Sequence, residues 1–364
     1  MRDRRPGRRL IIPIFITHQG CPHRCVFCNQ EIATGRSAGL PSVGHVRDRI
    51  VSFLGTMEGR RERREVAFYG GTFTALPRDE QETLLRGVSP FIRGNKVDAL
   101  RISTRPDAIE REGLELLSSY HVETVEVGAQ SMVDEILSKS RRGHTRKDVE
   151  QSVDLLRRGG FEVGIQIMLG LPGEDIELFL MTVRRVVDLN PDFVRIYPLL
   201  VMKGSPLEGL HRRGLYEPLS LVEAVEWAKE GMKLFEKAEI PVIRVGLQAT
   251  DRLGAPGTVL AGPYHPGFRS LVESSIFYDM ASRLVEEGSG EGDSVRFFVS
   301  PGDRSYLTGE KRENLSRLKK TYGLESIEIF SSPALPRGRV LLESSRGSFG
   351  LSRVELAGRR RARP

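Results

Sequence analysis

The stretch IIPIFITHQGCPHRCVFCNQ, residues 11–30, joins an apolar run to a loop that carries Cys21, Cys25 and Cys28. These are the only three cysteines among the 364 residues. A zinc ion would take these thiolates and one histidine, either His18 or His23. A [4Fe–4S] cluster also accepts closely spaced thiolates, and three of them leave one iron open to a small chelating ligand. Structural zinc usually draws its ligands from two separate loops, so a single loop favours the cluster.

Outward from this loop, β-rich apolar runs alternate with amphipathic helical segments as far as about residue 250. Continuous Val/Ile runs between helices favour a parallel sheet covered by helices. Six such units in about 190 residues fit an open doubly wound sheet or an incomplete βα barrel. The predicted strands are Leu10–Ile16, Glu65–Tyr69, Ala99–Ser103, Thr124–Gly128, Glu162–Leu169 and Phe193–Leu199.

The pattern changes after a long predicted helix, Leu219–Ala238, and a seventh predicted strand, IPVIRVGLQ. Residues 251–264 are rich in Gly and Pro, and GSGEGD at 288–293 has the composition of a hinge. Residues 294–344 predict a small α+β appendage of a strand, a loop, a helix and two strands. The predicted domains are a basic tail (1–9), the barrel (10–250), a C-terminal extension with the small α+β unit (251–350) and a second basic tail (351–364).

The unusual short motifs all lie where a predicted strand ends. The cysteine loop follows the first strand, and five further motifs follow the others in turn. Loops at the carboxyl ends of parallel strands meet on one face of the sheet, so the sequence predicts a ligand site there. The five motifs are GGT (70–72), STRPD (103–107), GAQS (128–131), MLGLPG (168–173) and YPLL (197–200).

These residues resemble a known family. CxxxCxxC with an aromatic residue before the last cysteine, followed one strand later by GGT, resembles the radical S-adenosylmethionine (SAM) superfamily. The motifs FYGGTF, STRPD, VEVGAQS, RRGHT, MLGLPG and RIYPLLVMKGSPL resemble, more narrowly, the radical SAM domain of the Elongator catalytic subunit and its short bacterial relatives. The resemblance implies an α/β fold, a partial (βα)6 TIM-like barrel, with the extension and the α+β appendage after it.

The resemblance also implies the cofactors and the metal ligands. Cys21, Cys25 and Cys28 would ligate three irons of one [4Fe–4S] cluster, and SAM would chelate the fourth. An external one-electron donor of the flavodoxin or ferredoxin class would reduce the cluster. SAM would then be cleaved to methionine and a 5′-deoxyadenosyl radical that abstracts hydrogen from the substrate. Phe27, the residue before the last cysteine, would shield the cluster from water.

Six further residues would contact SAM by the same resemblance. The backbone of Gly70–Gly71–Thr72 would approach the methionine ammonium group, since glycine has no side chain in the way. Gln130 and Arg142 match positions that contact the carboxylate end, and a guanidinium can hold a carboxylate through two hydrogen bonds. Gln166 matches a polar strand residue that holds the ribose. Ser103 stands where many relatives carry a Glu, so a contact there is not expected.

The cysteine count narrows the subfamily, because enzymes with auxiliary clusters or a methyl-carrying cysteine need further thiols. Three functions remain open. The first is a radical SAM enzyme that acts on RNA, such as tRNA, or on another substrate that the sequence does not identify. The second is a tetrapyrrole-pathway relative that acts on a small molecule, which Gln30 disfavours because a cysteine is typical at that position. The third is a non-enzymatic RNA-binding protein whose metal loop is structural.

The net charge of +7 lies in the chain ends, because residues 1–9 carry five Arg and one Asp and residues 359–364 carry four Arg. The tails could bind phosphate or be solvated ends. Within the appendage, a basic segment could clamp a nucleic-acid backbone or form a solvated helix face. No apolar run approaches the roughly 20 residues that span a bilayer, and we expect a cytoplasmic protein. The basic segment comprises Lys311, Arg312, Arg317, Lys319 and Lys320.

Overall fold

The computed structural model describes residues 9–56 and 62–358. The chain divides into two compact units, Met1–Ser220 with Ile240–Tyr264, and Leu221–Glu239 with His265–Pro364. The arginine-rich ends, for which the sequence left open either phosphate binding or a solvated state, include residues 1–8 and 359–364, which lie outside the described residues. The domain limits drawn from the sequence stay a prediction. Within the described part of the chain, no helix combines the length and the apolar character needed to cross a bilayer.

One or two helices separate successive strands through most of the first unit. The strands are β1 (Arg9–Phe15), β2 (Arg63–Tyr69), β3 (Ala99–Thr104), β4 (Val122–Gln130), β5 (Glu162–Leu169), β6 (Phe193–Pro198), β7 (Val201–Met202), β8 (Val242–Val245), β9 (Val259–Ala261), β10 (Ser294–Val299), β11 (Ser326–Ser331), β12 (Arg339–Ser344) and β13 (Gly347–Ser352). The α-helices are α1 (Gln30–Thr34), α2 (Val43–Gly55), α3 (Arg78–Arg93), α4 (Arg111–Ser119), α5 (Asp134–Lys139), α6 (Arg146–Arg158), α7 (Ile176–Leu189), α8 (Pro206–Arg212), α9 (Leu221–Lys237), α10 (Asp251–Gly254), α11 (Phe268–Gly288), α12 (Arg304–Thr308), α13 (Glu313–Tyr322) and α14 (Arg353–Gly358).

The first unit is built on seven parallel strands in the order β1-β2-β3-β4-β5-β6-β8, which form a curled half-barrel. The predicted fold class, a partial TIM-like barrel, is confirmed. The six predicted strands agree with β1 to β6 to within two residues at each end, and the seventh is β8. Strand order follows chain order because each crossover carries its helix to the same side before the next strand adds. The two ends of the sheet are β1 and β8.

The helices pack on the sheet through apolar stripes. In α6, Val149, Val153 and Leu156 are buried, and a capping box between Thr145 and Asp148 satisfies the first backbone N–H groups. Close packing between strands also selects small residues. Gly164 in β5 has no room for a side chain, since a Cβ there would lie 2.2 Å from the ring of Phe193 in β6.

The second unit contains a four-stranded sheet in the order β11-β10-β12-β13, in which only β10 and β11 are parallel. Helix α11 packs against β12 and β13 and also contacts α9 and α13. Arg353 at the start of α14 forms ion pairs with Glu236 of α9 and Glu273 of α11. The predicted appendage is present, with two additions: α12 lies in the predicted loop, and β13 extends the sheet. Both are short, and short segments leave little periodicity to detect.

Candidate functional site

A cavity of about 1160 Å³ opens at the carboxyl ends of the parallel strands. The sequence predicted a ligand site at this face because the unusual motifs follow successive strands. Every predicted site residue lies in its lining, although the residues come from loops far apart in the chain. They are Cys21, Cys25, Phe27, Cys28, Gly70, Gly71, Thr72, Gln130, Arg142 and Gln166.

The cysteine loop is anchored through its middle residues. The backbone N–H of Val26 donates to the carbonyl of Ser140, and the carbonyl of Val26 accepts from the N–H of Leu207 at 2.7 Å. Val26 and Phe27 are buried in an apolar cluster with Ile136 among others. The apolar middle of the loop therefore fixes its position, and the flanking cysteines face the cavity.

Each thiol has a different environment. Cys25 is buried, and Arg142 Nη1 donates to its Sγ at 3.0 Å. Cys21 is half-buried, and its Sγ lies 3.2 Å from Thr72 Oγ1. Burial, together with the neighbouring Cys25 and Cys21, raises the pKa of Cys28 to about 12. Three thiolates at this site thus need a compensating positive charge.

Among the described residues, no three His, Cys, Asp or Glu side chains form a group that could hold a single metal ion. Thiolates of a cluster bind three different irons and therefore stand farther apart than the ligands of one ion. The two histidines considered for zinc both line the cavity. His18 Nε2 accepts a hydrogen bond from the N–H of Gln30 at 3.0 Å, and His23 packs on Gly143. Burial, together with the nearby charge of Arg24, lowers the pKa of His18.

The GGT motif packs directly on the segment before the cysteine loop. A Cβ on Gly71 would lie 2.5 Å from the carbonyl oxygen of Gln19 and 2.6 Å from that of Ile16. The N–H of Thr72 donates to the same Gln19 carbonyl at 2.9 Å. Gly70 has a φ of +86°, which a side chain would disfavour. Glycine at 71 is therefore required by backbone packing, a reason that the sequence did not indicate.

The polar residues expected to contact SAM lie together. Gln166 Nε2 donates to Gln130 Oε1 at 3.3 Å, across neighbouring strands. Arg142 donates from Nη2 to the carbonyl of Gly128 at 2.6 Å, in addition to its bond to Cys25. Its Nε is buried and has no partner in the described part of the chain. Arg142 thus uses one N–H of each terminal nitrogen within the protein, and three of its five N–H donors, the buried Nε–H among them, have no such bond.

His144 is a neighbour of this group that the sequence analysis did not single out. Burial, together with the charges of Arg142 and Arg105, lowers its pKa to about 3, so the ring is neutral. Its Nε2 lies 3.2 Å from the carbonyl oxygen of Ala129. Arg105 donates to the carbonyl of Arg142 and pairs with Asp107 at 2.8 Å. These contacts hold the loop that carries Arg142 in place.

A buried network of charges inside the barrel was also missed. Arg101 donates to Glu65 and to Glu126, and all three side chains are almost fully buried. Tyr69 Oη donates to Glu126 at 2.8 Å, and Arg195 pairs with Glu126 at 2.9 Å. Single charges inside apolar strands such as EVAFY and ALRIST are the signal that could have indicated it, because buried charges require partners.

Comparison with known proteins places the chain in a class. The profile of the Radical SAM superfamily matches residues 15–186, and that of the Radical_SAM C-terminal domain matches residues 191–277. The chain belongs to the radical SAM superfamily, a superfamily of enzymes. It is homologous to the radical SAM region of Elongator complex protein 3 and of tRNA uridine(34) acetyltransferases.

The relatives support this closer grouping. The chain is 26% identical over 268 residues to the tRNA uridine(34) acetyltransferase of Methanocaldococcus jannaschii. This match covers 59% of this chain and 47% of the relative. The chain is 26% identical over 260 residues to human Elongator complex protein 3, with the same two shares. The solved archaeal Methanocaldococcus infernus Elp3 superposes with a TM-score of 0.58 at 22% identity, covering 74% of this chain and 63% of the other. The chain spans about half the length of these curated relatives.

Proposed function

We propose that this chain holds one [4Fe–4S] cluster on Cys21, Cys25 and Cys28 and binds SAM in the adjoining cavity. One observation carries the proposal: the ten residues selected from the sequence, which span positions 21 to 166, all line one cavity. Residues so far apart in the chain meet here because the loops at the carboxyl ends of the strands converge on one face, and folds of this kind bind their ligands at that face.

The residues fit a cluster. Cys25 accepts a hydrogen bond from the Arg142 guanidinium, and Cys21 lies beside the Thr72 hydroxyl. Hydrogen bonds to ligating sulfur stabilise the thiolate and tune the metal centre. Burial alone would keep the Cys28 thiol protonated, and the positive charge of bound iron would offset that penalty.

When bound, the cluster supplies an electron that cleaves SAM to methionine and a radical that abstracts hydrogen from the substrate. The protein supplies placement and a dry surface. Phe27 is buried within the cysteine loop, where its ring would shield the cluster from water. The amides of Gln130 and Gln166 offer hydrogen bonds to a polar ligand, and Arg142 keeps N–H donors beyond the two that the protein uses.

We further propose RNA, of which tRNA is one example, as the substrate class, with an external donor of the flavodoxin or ferredoxin class as the source of electrons. Support for RNA comes from the relatives whose names include tRNA uridine(34), matched over about half of their length. The exposed basic residues of the second unit are the alternative RNA contact that the sequence offered, and one of them, Arg317, is engaged by the ring of Tyr278 at 4.1 Å.

The test is anaerobic reconstitution. Protein loaded with iron and sulfide is expected to bind about four irons through three thiolates. Addition of SAM and dithionite should release 5′-deoxyadenosine, and Cys25→Ala should abolish both the iron chromophore and the product. Wild-type protein without dithionite is the matched control. Stoichiometric zinc in protein that resists reconstitution would overturn the proposal. Comparing modified nucleosides of RNA from a deletion strain and its parent then tests the substrate class.

A further inference from the structure

The cavity is lined by many more positive than negative side chains. Glu126 and Asp251 are its acidic lining residues in the described part of the chain. Glu126 is already paired with Arg101 and Arg195. The arginines of the lining are Arg9, Arg24, Arg36, Arg49, Arg105, Arg142, Arg195, Arg244 and Arg252.

Six of these arginines have no carboxylate within ion-pair distance in residues 9–56 and 62–358, and two of the six, Arg24 and Arg142, donate to backbone carbonyls instead. The other four are Arg36, Arg49, Arg244 and Arg252, and we call them the seam arginines. Arg244 lies on β8 beside Arg195 in register, so it faces the same side of the sheet. In contrast to Arg195, it contacts an uncharged group, Gln248 Oε1, at 3.4 Å.

The seam arginines lie along the open edge of the half-barrel. Arg49 is on α2, which packs against the edge strand β1, and Arg244 is on the other edge strand, β8. Helices α1 and α10 join the two sides, because a Cβ on Gly35 would lie 3.8 Å from the Thr250 side chain. Arg36 directly follows Gly35, and Arg252 lies two residues after Thr250. The four cations therefore come from both sides of the opening.

Two of the cations, Arg36 and Arg49, are close enough to oppose one another. Burial, together with the charge of Arg36, lowers the pKa of Arg49. The Arg49 guanidinium stacks on the Phe53 ring, 4.5 Å from its centroid, which holds the plane and leaves the N–H edges available. Uncompensated like charges beside a cavity are unfavourable, so a complementary anion would relieve them.

We propose that the seam arginines bind the phosphate groups of the substrate. A single carboxylate could neutralise one of four cations, whereas a phosphodiester chain or a polyphosphate carries one charge per phosphate. The guanidinium fork matches phosphate oxygens through paired hydrogen bonds. The inference deepens the proposed function, on which it rests for the identity of the cavity. Nucleic acid and small phosphorylated compounds share this chemistry, and the test separates them.

The probes are a fluorescein-labelled RNA hairpin with a single-stranded loop, and inorganic pyrophosphate as its competitor. Binding is measured by anisotropy at several salt concentrations, without SAM or reductant, so that no turnover is needed. One variant carries Arg36→Gln, Arg244→Gln and Arg252→Gln. A second variant removes the same number of positive charges from two exposed residues of α13 and from the exposed residue before it, with Lys319→Gln, Lys320→Gln and Arg312→Gln.

Each phosphate contact with a single strand contributes about 0.7 to the slope of log affinity against log salt, or about fivefold in affinity at 0.1 M salt. The seam variant is therefore expected to lose about two units of slope and about a hundredfold in affinity, while the α13 variant keeps both. If pyrophosphate displaces the RNA at concentrations near the dissociation constant of the RNA, the substrate is a small phosphorylated compound. Competition only at far higher concentrations would indicate nucleic acid.

Equal losses in both variants, or a loss confined to the α13 variant, would overturn the inference. Circular dichroism of both variants establishes that they are folded. The proposed function can fail separately, because release of 5′-deoxyadenosine by wild-type protein does not require phosphate binding. Protein that binds RNA through the seam arginines but cleaves no SAM would refute the proposed function and leave the phosphate site intact.

Discussion

Replacement of Arg101 by Met tests the buried charge network of the barrel. Arg101 Nη1 lies 2.8 Å from Glu126 Oε1, and Nη2 lies 2.7 Å from Glu65 Oε2. All three side chains are at most 3% exposed. Removal of one partner from a buried ion pair costs about 3–5 kcal/mol, because the remaining charge has neither water nor a counter-ion.

The expected magnitude lies at the lower end of that range. After the substitution, Glu65 keeps Arg9 at 3.2 Å and Glu126 keeps Arg195 at 2.9 Å, so neither carboxylate is left alone. A loss of about 3 kcal/mol lowers the equilibrium constant for folding by roughly a hundredfold. With a urea dependence of about 2–3 kcal/mol per molar, the unfolding midpoint should fall by about 1–1.5 M.

Urea titrations followed by far-ultraviolet circular dichroism provide the assay. The sole tryptophan, Trp227, belongs to the other unit, so its fluorescence would not report on the barrel alone. The matched control is Arg158→Met, which breaks the exposed pair with Asp154 at 2.8 Å. That pair contributes about 0.2–1 kcal/mol at most, so its midpoint should barely move. If the two variants shift the midpoint equally, the argument from burial is wrong.

Three further predictions concern the site and its surroundings. Arg142→Lys keeps the charge but cannot donate to both Cys25 and the strand carbonyl, so SAM cleavage should fall by about 10- to 100-fold with iron still bound, as measured by product and iron assays. Gly71→Ala should lower both iron content and stability because of its carbonyl contacts, whereas Gly44→Ala, whose nearest neighbour is 3.8 Å away, should lower neither; normal iron content in Gly71→Ala would contradict this. Burial raises the pKa of Glu174 to about 8, so the folded protein binds a proton that the unfolded chain releases near its ordinary value of 4.5. Stability should therefore fall as pH rises from about 5 to 8, and Glu174→Gln should flatten that dependence in urea titrations; an unchanged pH profile would refute the assignment.

Much of the fold could be read from local patterns. Apolar runs such as EVGIQIML in β5 are largely buried on both faces of the sheet. Helix α6 is apolar along one side only, because only that side packs against the sheet. These patterns persist in the sequence because each segment must suit its own environment. The cysteine loop and the motifs at the strand ends are contiguous as well, so their residues could be selected before any contact between them was known.

Other features depend on contacts that no local pattern encodes. The second unit takes α9 from between two strands of the first, and only three-dimensional packing decides that division. The bond from Arg142 to Cys25 joins residues 117 positions apart. Sequence analysis expected Arg142 to hold a carboxylate with its fork, which stays a prediction, and the structure adds that one N–H of each terminal nitrogen bonds within the protein.

The sequence by itself determined the parallel sheet, its cysteine loop and the face that carries the cavity, because these follow from local periodicity and chain order. Only the tertiary structure decided which charges are neutralised. Arg195 and Arg244 look alike in their strands, yet register gives Arg195 a carboxylate partner and leaves Arg244 facing the cavity beside an uncharged amide. Pairing across strands depends on register and on the closure of the sheet, and both are set by packing throughout the unit.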